Sequence, residues 1–326
     1  MELRPPLTGQ TLKERATNLP EHTALIEGLL YEHDSLMIAS ESGKGKSLAS
    51  IQIAMHLTKA TPVFGSFHVP RPLRVWWMQM ERHENESLER INKLMSIMDW
   101  EPDNFFLDTE MQILNFINPA HYPLIEKRGL EIKPDVIFID PLYGVAQGLS
   151  QDKIASEVSK CFTMLKKSLN CAMWLNHHIV KDQYSSQTGQ KVERDDPFYG
   201  ATWIRAHVTG SYFMRPHETG LEFIKKKDNH DTLLDNIVTT FDPESYLSTV
   251  DPERFNYHDR LKIFISQVQF RQKKTFLFNE CAKFVGCDKR HLRRMLMSHP
   301  YLNLFKRYKS CGASTIYEIL PQSGGV

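Results

Sequence analysis

The stretch that most constrains this chain is residues 40–47: Ser40, Glu41, Ser42, Gly43, Lys44, Gly45, Lys46 and Ser47. An apolar run at residues 36–39 precedes it, and apolar residues at helical spacing, Leu48, Ile51, Ala54 and Met55, follow. Strand, tight glycine-containing loop and helix is the context a phosphate-binding loop needs. Gly43 and Gly45 let the loop turn sharply and aim backbone N–H groups inward. The new helix then offers its unpaired N–H groups and positive dipole end to an anion. On this reading the segment Ser42, Gly43, Lys44, Gly45, Lys46, Ser47 and Leu48 cradles the phosphates of a nucleoside triphosphate. Lys46 reaches the β- and γ-phosphates, and the Ser47 hydroxyl ligates Mg²⁺. Ser40 stands where the usual G-x-x-x-x-G-K-[ST] spacing has its first glycine, while the core Gly45, Lys46 and Ser47 is intact.

Two acids close later strands. Residues 73–80 read as a buried strand ending at Glu81, followed by a charged helix over residues 86–98. A carboxylate at the carboxyl end of a parallel strand lies on the ligand face of an open α/β sheet, so Glu81 is the candidate general base for an attacking water. Residues 134–140 form a second apolar strand closed by Asp140, the residue type that orients Mg²⁺ through water. A further strand, residues 171–175, ends in Asn176, His177 and His178. One histidine of the pair is a candidate sensor of the γ-phosphate, with His178 preferred. Between these strands, residues 104–116 read as one or two short strands and residues 61–67 as a hairpin-like connector. The polar, aperiodic segment 181–199 is long for a connection in a compact domain, which marks functional or unstructured chain. Lys225, Lys226 and Lys227 end another strand. They form either a solvated turn or a source of cations for a nucleotide held by a neighbouring subunit.

Taken in order, the phosphate loop, residues 76–81, residues 137–142, residues 175–178 and Gly200, Ala201 and Thr202 resemble the RecA-like ATPases. Within them the likeness is to the RepA/DnaB-type branch of hexameric replicative helicases of plasmids and phages, over roughly residues 20–248. The resemblance implies a RecA-like, mostly parallel sheet between helices, with ATP bound between the subunits of a ring. It also implies a finger acting in trans near Lys225–Lys227 and DNA-facing loops after Asp140 and His178. Asp228, Asn229 and His230 stand where that branch carries an Arg after its finger lysine, so which of the three lysines acts stays open.

Charge separates the tail from the body. From Asp251 onward there are 14 Lys and Arg against 6 Asp and Glu; the whole chain has 40 against 39, which leaves 26 against 33 before that point. A basic module on an acidic body points to a polyanion. Helical spacing over residues 258–270, helices over 275–284 and 289–298 joined by a turn at 285–288, and a hairpin over 302–320 suggest a winged helix-turn-helix. Its second helix carries Lys289, Arg290, Arg293 and Arg294 towards duplex DNA, and Lys306, Arg307 and Lys309 sit on the wing. A protein–protein adaptor with a solvated basic face is the alternative. The expected domains are therefore 1–250, ATPase, with 1–20 as an extension, and 251–326, DNA-binding.

Five scattered cysteines without a C-x-x-C pair indicate neither a zinc site nor a disulfide framework. No signal peptide or membrane-length apolar run is evident, so a cytoplasmic protein is expected. The expected function is a ring-forming, hexameric, Mg²⁺-dependent ATPase acting on DNA, a replicative helicase of a mobile element, with single-stranded DNA in the ring. An ATP-switched DNA-binding regulator or loader is the second reading, and a recombinase-like filament former the third.

Overall fold

Strands buried on both faces have no polar side to alternate with, so they read as continuous apolar runs. Three such runs become β3 (Ser35–Ser40), β4 (Val75–Gln79) and β6 (Val136–Asp140), buried at every position. A fourth, β7 (Ala172–His178), is buried except at its last residue. The computed structural model describes residues 8–17, 23–149, 151–179, 202–229, 234, 236–243, 247–250, 260–261, 263–265, 275–285, 289–296, 305–311 and 314–319. These fall into two compact units, Ala24–Phe255, and Met1–Thr23 together with Asn256–Val326.

The larger unit is a nine-stranded sheet. With β5 (Phe105–Asp108), β8 (Gly210–His217), β9 (Gly220–Asp228), β10 (Asn236–Phe241) and β11 (Ser248–Val250), its order is β11-β10-β9-β8-β3-β7-β6-β4-β5. The run from β8 to β5 is parallel, and β9, β10 and β11 extend it antiparallel. A small hairpin, β1 (Ala24–Ile26) and β2 (Leu30–Tyr31), precedes β3.

Alternation along the strands sends neighbouring residues to opposite faces. On one face Met37, Trp76, Met78, Ile137, Ile139, Met173 and Leu175 share a core with residues of three helices. These helices are α4 (Tyr122–Ile132), α5 (Asp152–Leu169) and α6 (Thr202–His207). On the other face Trp77 stacks on Phe105 and on Phe138, whose centroid lies 5.3 Å away, and Phe138 stacks on Trp174. Trp174 donates its indole N–H to Ser50 of α2 (Lys46–Lys59) at 3.2 Å, so α2 covers this aromatic face. The chain is thus a mostly parallel α/β sheet flanked by helices, of the RecA-like P-loop kind.

Two local features have simple causes. The span 104–116 holds one strand, because the Asp108 carboxylate accepts the N–H of Glu110 and a 3-10 turn (Glu110–Ile113) follows. The charged helix after β4, α3 (Glu84–Met98), starts two residues early, because the His83 ring caps it by accepting from the N–H of Asn85.

In the smaller unit, α1 (Gly9–Thr17) lies at the amino end. Near the other end β12 (Thr275–Leu277), β14 (Ser314–Ile319) and β13 (Phe305–Cys311) form an antiparallel sheet in the order β12-β14-β13. Two helices, α7 (Phe278–Val285) and α8 (Lys289–Leu296), come between β12 and β13. Helical turns at Arg260–Leu261 and residues 263–265 contribute Leu261 and Phe264 to a core with Phe276, Phe278, Cys281, Val285, Leu292 and Leu296. The segment 181–199, Gly200 and Ala201, the turn at 286–288 and Gly312 lie outside the described residues.

Candidate nucleotide site

The carboxyl ends of β3, β7, β6 and β4 are consecutive in the sheet, and the sequence puts a reactive group at each. Ser40 pairs with His178 and Gln79 with Asp140, so the tips are level within each pair, and because Ile139 pairs with Leu175 the tips of β3 and β7 reach two residues beyond those of β6 and β4. The N–H of Met80 donates to the carbonyl of Asp140 at 2.8 Å and ties the two acid-bearing tips together.

The loop after β3 turns on two residues in the left-handed region, Gly43 at φ 77° and Gly45 at φ 85°. An L side chain there costs roughly 1–2 kcal/mol, which is why both are glycine. Gly45 is also the N-cap of α2 and caps with no side chain, leaving the amides of the first turn to an incoming anion. Ser40, in contrast, is a buried strand residue and is not among the described residues with positive φ. No glycine is needed there. The Lys44 ammonium turns outward to Glu41 at 3.9 Å, so Lys44 offers the site its backbone.

Lys46 is 3% exposed. Its Nζ lies 3.1 Å from Nδ1 of His178, and His178 Nε2 lies 3.9 Å from the Glu81 carboxylate. Burial pulls the Lys46 ammonium down to about 8, against the pull of Asp140 and Glu81. Burial, reinforced by Lys46, also lowers His178, so its ring is neutral at neutral pH. A neutral ring that accepts from Lys46 at Nδ1 carries its proton on Nε2, which then faces Glu81. Lys46, His178 and Glu81 thus form one chain of polar groups. His177, one step back on β7, is buried on the other face, where burial drives it down to about 4, so it does not share in this chain.

A cavity of about 650 Å³ opens over these tips. Its lining includes Ser42, Gly43, Lys46, Ser47, Glu81, Asp140 and His178, which places the predicted phosphate, metal, base and sensor residues around one space. Asp140 is 2% exposed, and its Oδ1 has no hydrogen-bond partner. A buried carboxylate oxygen without a partner suits a hydrated cation, and Ser47 lines the same cavity. Among the described residues no group of three or more His, Cys, Asp or Glu could hold a metal alone. Ser47 and Asp140 therefore fit a Mg²⁺ ion that arrives with phosphate oxygens.

Sequence reasoning missed three residues here. Gln79 is buried, and its Oε1 accepts the N–H groups of Glu81 and Arg82, fixing the backbone that carries the base. Asn176 accepts from Ser50 of α2 at 2.9 Å and anchors that helix on β7. Tyr143 lies with its ring on His178. Of these, Gln79 and Asn176, polar residues at the ends of buried strands, left a signal in the sequence.

The three lysines sit elsewhere. Lys225 is level with Ile38, and Lys227 with Met37. That is about 7–10 Å below the tip of β3 at the usual rise per residue. Lys225 approaches Asp228 at 3.6 Å, and Lys227 donates to the carbonyls of Arg205 and Ala206 near the end of α6. The register slips between Ser211 and Tyr212, leaving Lys226 as the surplus, exposed residue of a β-bulge. A model of the AAA domain matches residues 4–184, which carry the loop and all four strand tips. The chain belongs to the AAA domain family. As a member it carries the domain of a nucleotide-hydrolysing P-loop ATPase. A comparison with curated proteins finds no match.

In the smaller unit, α8 exposes Lys289 and Arg293 and buries Leu292 and Leu296. Arg290 and Arg294 are on the same helix, while Lys306, Arg307 and Lys309 follow one another along β13. Among the described residues no helix is long and apolar enough to cross a membrane.

Proposed function

We propose that this AAA-domain protein is a ring-forming, Mg²⁺-dependent ATPase that works on DNA as the replicative helicase of a mobile element, phage or plasmid. The observation that carries the reading is the meeting of Lys46, His178, Glu81 and Asp140 around one cavity at the end of the sheet. ATP lies with its phosphates on the amides of the first turn of α2 and on Lys46. Glu81 takes the proton from the water that attacks the γ-phosphorus in line, and Lys46 holds the charge on the departing phosphates. The Ser47 hydroxyl and Asp140 would hold Mg²⁺, which would supply further neutralisation of phosphate charge. His178 bridges Lys46 and Glu81, so filling or emptying the γ-phosphate position alters its partners.

Assembly into a ring is supported by the bulge that leaves Lys226 exposed. It is the candidate cation for a neighbour's nucleotide, with Lys225 and Lys227 held inside the subunit. The elements from residue 260 onward follow the order of a winged helix, and the exposed Lys289 and Arg293 suit duplex DNA. A second reading, an ATP-switched DNA-binding regulator or loader, is favoured by those two internal lysine contacts, which leave a single lysine for action in trans.

Turnover with and without single-stranded DNA, together with displacement of a labelled strand from a fork, separates the two. Strong stimulation with displacement is expected. A slow rate indifferent to DNA would select the regulator.

A further inference from the structure

Directly after Asp140 the chain makes a 3-10 turn, Leu142–Val145. Its two ends are fixed. Leu142 and Val145 are fully buried, and the Val145 carbonyl accepts the N–H of Phe116 at 2.9 Å. Its middle lies against the end of β4. A Cβ added to Gly144 would fall 2.4 Å from Cβ of Met80 and 2.9 Å from its carbonyl oxygen, so only glycine allows this approach. Met80 is the residue before Glu81. The one large side chain left to project from the turn is Tyr143, 43% exposed. Its ring centroid lies 5.6 Å from that of His178, whose Nε2 is 3.9 Å from the Glu81 carboxylate, so the phenol stands close to that carboxylate. Burial and the adjacent carboxylates of Glu81 and Asp140 raise the phenol, which therefore stays protonated and is available as a donor.

The backbone of Glu81 is fixed by Gln79, yet its side chain is 47% exposed and long enough to swing. Left to itself, the carboxylate would be drawn to the buried Lys46 ammonium. It would then lose its place beside the attacking water and take the lysine from the phosphates. A phenol donor on one carboxylate oxygen leaves the other for the water.

We propose that Tyr143 is a positioning residue for Glu81, holding the carboxylate at the water side of the cavity, with its ring seated on His178 and its turn locked by Gly144 against Met80. The assignment rests on the ATPase reading above. It also makes the turn after Asp140 a direct mechanical neighbour of the base, so movement of that turn is felt at Glu81.

Tyr143→Phe removes the hydroxyl and keeps the ring, so the fold and the packing on His178 are retained. It is expected to lower kcat about tenfold, with KM and the affinity for a fluorescent ATP analogue within about twofold of wild type. In a Glu81→Gln background, followed in single-turnover reactions, the same change is expected to alter the residual rate less than about twofold, because the group it positions is gone. A tenfold loss in both backgrounds, a loss of affinity with kcat unchanged, or a Tyr143→Phe protein with normal kcat would each overturn the assignment and leave the ATPase reading standing. A wild-type protein without turnover that depends on Lys46 would overturn both.

Discussion

The cations of the two units are placed in opposite ways. In the larger unit Lys46 is buried and hydrogen-bonded to a histidine, with two acids close enough to act on its protonation. In the smaller unit Lys289 and Arg293 stand exposed on a helix whose other face, Leu292 and Leu296, is core. A buried cation beside free helix amides recognises one compact anion at fixed geometry, is little screened by salt and has a shifted ionisation. Exposed cations in a row suit a polyanion, and such binding is weakened by salt. On the proposed function, one chain would thus carry a buried site for a small phosphate ligand and an exposed surface for a long one.

The contrast can be broken in several ways. The largest effect is expected from salt. If six to ten phosphate contacts form, raising salt from 50 to 200 mM should weaken DNA binding by about 10³–10⁵. ATP affinity over the same range should move only severalfold. Equal slopes in paired titrations would erase the distinction.

Next, Lys46→Ala should reduce ATP turnover by about 10²–10³ without unfolding the protein. Circular dichroism and a steady-state assay check both halves. Undiminished turnover would remove the site.

A third effect follows from pH. In the free protein Lys46 loses its proton above about 8. Bound phosphates favour the charged form, so binding above that pH takes up a proton. ATP affinity should be flat just below about pH 8 and then fall by up to tenfold per unit. DNA affinity, which does not involve Lys46, should show no such break in titrations across the same range.

The smallest effect is expected at Ser40. Ser40→Gly should leave kcat/KM within about twofold, since the position is extended strand. A large gain would mean that the loop needs the missing glycine after all.

The central strands were legible because a strand buried on both faces is written as an unbroken apolar run. Glu81, Asp140 and His178 were legible because each ends such a run. The glycines announced the loop because φ near 80° is closed to other residues. What stayed hidden depends on pairings far apart in sequence. The bulge at Lys226 is a register slip against β8, and no local period marks it. Tyr143 matters only because Gly144 brings its turn against Met80, sixty-four residues earlier in the chain by their numbers. Asn176 holds α2 only because β7 lies next to β3.

Replacing Glu81 tests most directly whether the strand tips form a hydrolytic site. Glu81→Gln should keep Mg²⁺–ATP affinity within a few-fold, roughly, and lower kcat by about 10² or more, since the loop and Lys46 remain while the base is gone. A Glu81→Gln protein that binds and turns over ATP like wild type would contradict the assignment of these strand tips to catalysis.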